Sequence, residues 1–159
     1  FYAIIGGAKV SSKLGVIRAL LNKVDALFIG GGMAYTFFKA QGIMIADSIH
    51  EDDLLEEAKQ VLAAAKEKNV KIFLPVDTVV ADSLEEGAAS QVINYPDPFP
   101  PGTSGVDIGP KTVELFANEL ARGETIFWNG PLGVFEIPAF AKGTRAIAKV
   151  VADLDATTI

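Results

Sequence analysis

The fold is decided by one stretch near the start of the chain, Ile4-Ile5-Gly6-Gly7-Ala8-Lys9-Val10-Ser11-Ser12-Lys13. Its two isoleucines predict the end of a buried strand, and its two glycines allow the backbone to turn sharply. We expect Ser11 or Ser12 to cap a helix with an apolar stripe, formed by Leu14, Ile17, Leu20, Leu21 and Val24. A helix N-terminus attracts anions, and Lys9 and Lys13 add two positive charges beside it. The stretch therefore predicts a polyphosphate site, but a glycine turn with two solvated lysines would give the same pattern.

The composition of the chain excludes several classes of function. The 159 residues suffice for one domain with a substantial core. The net charge of −6 provides no basic excess for a nucleic-acid backbone, so we expect no nucleic-acid partner. The lack of cysteine excludes disulfides and thiolate chemistry, and it fits a reducing compartment such as the cytoplasm. No apolar run approaches the roughly 18 residues that span a bilayer, so we expect no membrane partner.

Strand and helix patterns alternate along the rest of the chain. Further strands are predicted at Asp25–Ile29, Lys71–Val76, Glu124–Trp128 and Ala156–Ile159. Further helices are predicted at Met33–Gln41, Glu51–Lys68, Pro110 to about Arg122, and Pro138–Asp153. The segment Asp77–Asp82 either extends the third strand or forms an edge ribbon with Gln91–Asn94. The alternation predicts an α/β fold, a doubly wound parallel sheet between two helix layers, with ligands beyond the carboxyl ends of the strands.

Three segments near that edge are candidate binding loops, each with a plainer alternative. Gly30-Gly31-Gly32 either leaves room for a flat ring against the backbone or forms a tight turn. In the loop after Trp128, Glu136 is a candidate partner for ribose hydroxyls, unless Phe135 packs inward and Glu136 faces water. Gly105–Pro110 forms either a wall for a base or a helix-entry turn with Asp107 near the helix N-terminus.

The acidic run Glu51-Asp52-Asp53 has a simpler interpretation. Negative charge is favourable in the first turn of a helix, and the run stands where the helix Glu51–Lys68 is predicted to begin. We therefore interpret these carboxylates as helix-start charge and predict no metal site among them.

The loop segments, taken in their order along the chain, resemble those of one family, phosphoglycerate kinase, and specifically of its C-terminal nucleotide-binding domain. The matching segments are Gly6–Lys13, Gly30–Phe37, Pro75–Asp77, Gly105–Thr112 and Trp128–Glu136. The resemblance spans essentially the whole chain. It implies a Rossmann-like sheet of six parallel strands in the order 3-2-1-4-5-6. It also implies a glycolytic transferase that moves a phosphoryl group between 1,3-bisphosphoglycerate and magnesium-ADP, giving 3-phosphoglycerate and ATP.

The resemblance also assigns roles to residues of this chain. Lys13 would be the catalytic residue that holds the migrating phosphoryl group, while Lys9 and Asn129 would contact the nucleotide phosphates. Glu136 would bind the ribose hydroxyls. The remaining expected nucleotide-binding residues are Gly6, Gly7, Ala8, Gly30, Gly31, Gly32, Gly105, Val106, Pro131 and Val134. Adenine would lie between the backbone of the glycine triplet and that of Gly105-Val106, with Pro131 and Val134 lining the pocket.

Two parts of the family pattern are expected to lie outside residues 1–159. One is the N-terminal domain that holds the phosphoglycerate, and the other is the glycine-rich loop with an aspartate that holds magnesium. The chain is therefore interpreted as an incomplete C-terminal domain, inactive alone, of a cytoplasmic enzyme that is a monomer. A dinucleotide dehydrogenase is disfavoured because Gly6-Gly7-Ala8 does not fit Gly-x-Gly-x-x-Gly. The alternative that stays open is a non-catalytic α/β module for nucleotide binding or protein interaction.

Overall fold

A computed structural model describes all residues, 1–159, as five α-helices and eight strands. The strands are β1 (Tyr2–Ile5), β2 (Ala26–Ile29), β3 (Lys71–Phe73), β4 (Asp77–Ala81), β5 (Ser90–Asn94), β6 (Ser104–Ile108), β7 (Thr125–Asn129) and β8 (Thr157–Thr158). The helices are α1 (Val10–Leu20), α2 (Met33–Ala40), α3 (Leu55–Glu67), α4 (Pro110–Leu120) and α5 (Lys142–Asp153). None of these helices is long and apolar enough to cross a membrane.

The main sheet is parallel and has the strand order β3-β2-β1-β7-β8, which confirms the predicted α/β architecture. Its central strand, β1, alternates between two cores because successive strand residues face opposite sides. Ala3 and Ile5 pack with α1, α2 and α3, whereas Ile4 packs with α4 and α5. The sheet therefore lies between two helix layers, and its carboxyl edge is free to bear the loops of a site.

A second, antiparallel sheet of order β5-β4-β6 flanks the first. The pairing of β4 with β5 confirms the edge-ribbon option for the segment after Pro75. The helix entry considered for Gly105–Pro110 is confined to Gly109 and Pro110 at the start of α4, whereas the residues up to Ile108 belong to β6. Glycine and aspartate disfavour strands intrinsically, so tertiary pairing with β4 overrides the local preference of Gly105 and Asp107.

The expected serine cap of α1 is also wrong. The helix begins at Val10 with Lys9 as its N-cap, two residues before the first of the two expected caps. The backbone N–H of Ser11 instead donates to Oε1 of Glu51 at 3.1 Å, and the Ser12 hydroxyl donates to the Lys9 carbonyl at 3.0 Å. A carboxylate from a distant loop thus takes the place that the sequence suggested for a neighbouring hydroxyl, and Glu51 is not helix-start charge for α3.

Two buried aspartates cap the helices on the other face from distant strands. Asp77, on β4, accepts the N–H groups of Lys111 and Thr112 in the first turn of α4, at 3.0 and 2.9 Å. Asp107, on β6, accepts the N–H of Gly143 at the start of α5, at 2.9 Å. The sequence placed Asp107 beside the wrong helix, because a cap supplied by a distant strand has no local signature.

The other differences are confined to the ends of elements. The helix predicted from Pro138 starts with a separate 3₁₀ turn, Pro138–Phe140, and the α-helix follows from Lys142. A similar 3₁₀ turn, Asp52–Leu54, precedes α3. The third strand stops at Phe73, ahead of Pro75, because proline cannot donate to a sheet ladder.

Candidate functional site

The loops at the carboxyl edge of the main sheet enclose a cavity of about 340 Å³. Cavities of roughly 300–1,000 Å³ are typical of small-molecule sites. Residues from six parts of the chain line it: Gly7, Ala8, Gly31, Gly32, Tyr35, Asp47, Ile49, Leu84, Ser104, Gly105, Val106, Pro131, Gly133, Val134, Phe135 and Glu136. The cavity therefore lies where ligands bind in open α/β sheets, beyond the ends of β1, β2 and β7.

Most of the predicted site residues meet at this cavity. Its lining includes nine of them: Gly7, Ala8, Gly31, Gly32, Gly105, Val106, Pro131, Val134 and Glu136. The other five do not line it: Gly6, Lys9, Lys13, Gly30 and Asn129. These five lie behind the lining loops or at the neighbouring phosphate-binding edge predicted from the sequence.

Glycine is required in the cavity wall because the backbone of several loops comes very close together. Gly31 has φ +73°, and an added Cβ would lie 2.7 Å from the backbone of Gly7 and from the Pro131 carbonyl oxygen. At Gly32 an added Cβ would lie 2.7 Å from Cγ2 of Ile49, and at Gly105 it would overlap the ring of Tyr35. These glycines thus allow the segments around the cavity to pack closely against one another.

Gly6 and Gly30 do not line the cavity, and they allow the loops to pack behind it. The N–H of Gly6 donates to the Asn129 carbonyl at 2.9 Å. An added Cβ at Gly30 would lie 2.5 Å from Cδ2 of Leu132. Both glycines thus allow the loops after β1, β2 and β7 to pack against one another.

The loop after β7 is held in a defined conformation along its length. The Trp128 indole N–H donates to the Gly130 carbonyl at 2.7 Å, and the Val134 N–H donates to the Val106 carbonyl at 2.8 Å. Phe135 is 49% exposed, so the alternative in which it packs inward is wrong. Phe135 and Glu136 both line the cavity, which places one apolar and one anionic side chain at its mouth.

The two lysines lie at the start of α1, with different partners. The ammonium group of Lys13 donates a hydrogen bond to Oδ1 of Asn129, which joins α1 to the end of β7. Lys9 lies near the carboxylate of Glu51. Partial burial raises the pKa of Glu51, but hydrogen bonds from Ser11 and Val10 and the charge of Lys9 outweigh it. The resulting pKa lies below the ordinary value, so Glu51 is an anion at neutral pH.

Sequence reasoning missed several of the lining residues. They are Tyr35, Asp47, Ile49, Leu84, Ser104, Gly133 and Phe135. Tyr35 follows the glycine triplet by three residues, and this spacing was the one available signal. Burial raises the pKa of Tyr35 far above the ordinary value, so its hydroxyl is neutral at physiological pH. The hydroxyl lies 3.2 Å from Oγ1 of Thr78, which fixes the ring in the cavity wall. Asp47 and Ile49 occupy a loop with no periodic pattern.

Asp107 supports the cavity from behind. It is only 2% exposed, and burial raises its pKa to about 7 despite hydrogen bonds from the N–H groups of Gly143 and Ile108. An added Cβ at Gly133, in the cavity wall, would lie 2.5 Å from Oδ1 of Asp107. The carboxyl group therefore lies directly against the loop that carries Glu136.

The residues that the structure describes do not fit a metal ion. No group of three or more His, Cys, Asp or Glu side chains is placed to hold one. Magnesium, which the family resemblance implies, therefore has no cage of such side chains here.

Comparisons with known proteins agree on one family. The family model for phosphoglycerate kinase matches residues 1–159. A phosphoglycerate kinase of Acidobacterium capsulatum is 57% identical over 160 residues, covering 100% of this chain and 40% of the relative. One of Clostridium botulinum is 51% identical over 159 residues, with the same coverage.

Solved structures show the same likeness. Phosphoglycerate kinase from Coxiella burnetii superposes with a TM-score of 0.95 at 48% identity, over 99% of this chain and 40% of that one. The enzyme from Pyrococcus horikoshii gives a TM-score of 0.80 at 27% identity, over 98% of this chain and 40% of that one. The chain thus spans about 40% of the length of these relatives.

Proposed function

Since the chain belongs to the phosphoglycerate kinase family, we propose that its 159 residues form the nucleotide-binding part of a glycolytic kinase. The whole protein would transfer a phosphoryl group between 1,3-bisphosphoglycerate and ADP, giving 3-phosphoglycerate and ATP. The observation that carries this proposal is the glycine-walled cavity of about 340 Å³ at the carboxyl edge of the sheet.

The nucleoside fits the two kinds of wall that the cavity offers. The lining backbone at Gly31-Gly32 and at Gly105 would support a flat adenine ring, and Val134 would add an apolar contact. The exposed carboxylate of Glu136 is suited to accept hydrogen bonds from the two ribose hydroxyls. Adenosine would thus be recognised largely by shape at the base and by charge at the ribose.

The phosphates would lie toward the start of α1. Ala8 lines the cavity, and the next residue in the chain, Lys9, begins the helix that carries Lys13. Phosphoryl transfer depends mostly on positioning and on stabilising charge over the transferring oxygens. Lys13, oriented by Asn129, is proposed to stabilise that charge, while Lys9 and Asn129 hold the standing phosphates.

The other substrate and the metal are assigned to the rest of a longer protein. The described residues do not fit magnesium, so no step is assigned to a metal here. We expect 1,3-bisphosphoglycerate and 3-phosphoglycerate to bind to an N-terminal domain, and we expect the 159-residue chain alone to be inactive. The whole enzyme is proposed to be a monomer that works in the cytoplasm.

Calorimetry with two nucleosides tests this proposal. Adenosine has both ribose hydroxyls, and 2′,3′-dideoxyadenosine has neither, so their difference isolates the ribose contact. Glu136→Ala should weaken adenosine binding by about 10-fold, the scale of a hydrogen bond to a charged group. It should leave dideoxyadenosine binding unchanged. Glu114→Ala removes an exposed carboxylate of α4 outside the cavity and should change neither affinity.

Two outcomes would contradict the proposal. Wild-type protein that binds neither nucleoside would exclude the adenine cavity. Equal losses of adenosine affinity in Glu136→Ala and Glu114→Ala would exclude the assigned role of Glu136.

A further inference from the structure

The start of α1 is already occupied by an anion that the chain itself supplies. Oε1 of Glu51 accepts the N–H of Ser11 at 3.1 Å, and the charge of Lys9 stabilises the carboxylate. A helix N-terminus and an adjacent lysine are what a phosphate group also needs. Glu51 therefore uses part of the positive potential that a phosphate ligand would use.

The loop that bears Glu51 holds this carboxylate in place and also forms part of the cavity. Asp47 and Ile49 line the cavity, and both precede Glu51 in the same loop. The N–H of Asp47 donates to the Thr103 carbonyl at 2.9 Å, and the N–H of Glu51 donates to Oγ1 of Thr36, a buried residue of α2, at 3.1 Å. The loop is thus anchored on both sides of the lining residues, and Glu51 is not a freely moving surface side chain.

The charge of Glu51 acts on ligands in a predictable direction. It repels a second anion at the start of α1, so a free phosphate or pyrophosphate gains less there than the two lysines alone would give. A nucleotide offsets this repulsion with the contacts of its base and ribose in the cavity. The carboxylate therefore lowers the affinity of any phosphate at this position, and an anion without a nucleoside has no cavity contacts to offset the loss.

We propose that Glu51 acts as a built-in counter-anion that lowers the affinity of the start of α1 for phosphate-type anions. This inference rests on the proposed function, because it assumes that phosphates bind beside Lys9 and Lys13. It differs from a purely structural cap, for which the charge of Glu51 is immaterial provided that an oxygen atom accepts the Ser11 N–H.

The test compares three variants of the chain by titration with pyrophosphate, following the Ala8 amide resonance by NMR at constant ionic strength. Glu51→Gln keeps an oxygen acceptor and removes the charge, and it should bind pyrophosphate about 2- to 5-fold more tightly than wild type, the scale of one charge at a helix end. Glu51→Asp keeps the charge and should show no gain. Asp52→Asn removes the neighbouring exposed carboxylate, which pairs with Lys39 at 2.5 Å, and should also show no gain.

Each outcome decides the inference. A gain in Glu51→Gln alone supports it. No gain, a loss, or an equal gain in Glu51→Asp or Asp52→Asn overturns it and leaves Glu51 as a structural cap. A parallel adenosine titration separates this inference from the proposed function. Adenosine should bind wild type and Glu51→Gln equally, whereas wild type that binds no adenosine would refute the nucleotide site itself.

Discussion

Asp107→Asn should change the pH dependence of stability in a direction that the structure fixes. Burial raises the pKa of Asp107 to about 7 in the folded chain, against about 3.9 for an aspartate in an unfolded one. Between these two values the native state keeps a proton that the unfolded state has lost. The contribution of Asp107 to the free energy of unfolding is therefore largest below pH 4 and falls as the pH rises to 7.

The size of the effect follows from the same two pKa values. From pH 5 to pH 8, the titration of Asp107 should lower the free energy of unfolding by about 2.5 kcal/mol, at about 1.36 kcal/mol for each pKa unit. The asparagine side chain of the variant cannot titrate, so its contribution is constant. Its amide accepts at only one atom, and the N–H of Gly143 or of Ile108 then loses its partner, at a cost of about 1–3 kcal/mol. The variant should be less stable than wild type at pH 5, and this difference in the free energy of unfolding should close by pH 8.

Urea unfolding at pH 5, 6, 7 and 8 measures this difference directly. Asp53→Asn, which changes an exposed carboxylate before α3, is the matched control and should stay within about 0.5 kcal/mol of wild type throughout. A constant gap between Asp107→Asn and wild type across the four pH values would show that the raised pKa of Asp107 does not govern this pH dependence. So would a gap that widens as the pH rises.

Three further predictions concern catalysis, capping and the cavity wall. In the full-length enzyme, Lys13→Ala should lower kcat by about 100-fold or more, because it removes a charge contact that is strongest in the transition state. Lys9→Ala should mainly raise KM for the nucleotide, and steady-state kinetics with equal losses of kcat would contradict this division. Asp77→Asn should destabilise the chain by about 2–4 kcal/mol in urea unfolding, since a buried cap loses acceptor capacity; a loss below about 0.5 kcal/mol would exclude its capping role. Gly31→Ala should abolish adenosine binding in calorimetry, whereas Gly42→Ala, also at positive φ but with open space around it, should cost only about 1 kcal/mol and retain binding.

The parallel sheet could be predicted because its signals are local and strong. Strands such as Ile4-Ile5 and Leu27-Phe28-Ile29 are short apolar runs that end in glycine, and each is followed by a helical pattern. A parallel sheet buried on both faces is the arrangement that such an alternation favours. That topology also places the loops after β1, β2 and β7 together at the carboxyl edge of the sheet.

The parts that could not be predicted depend on distant contacts. The carboxylates of Glu51, Asp77 and Asp107 each cap a helix from elsewhere in the chain, and no local spacing reveals such a partner. β6 was missed because Gly105 and Asp107 disfavour strands on their own. Ile49 reaches the cavity from a loop with no periodicity, so its contact with the site is visible only in three dimensions.

A crystal structure of the chain with ADP would show directly where the nucleotide binds. We expect adenine against the backbone of Gly32 and Gly105, the ribose hydroxyls within hydrogen-bond distance of Glu136, and the phosphates directed toward Lys9 and Lys13. Nucleotide bound at any other surface, or density with the base outside the cavity of about 340 Å³, would contradict this expectation.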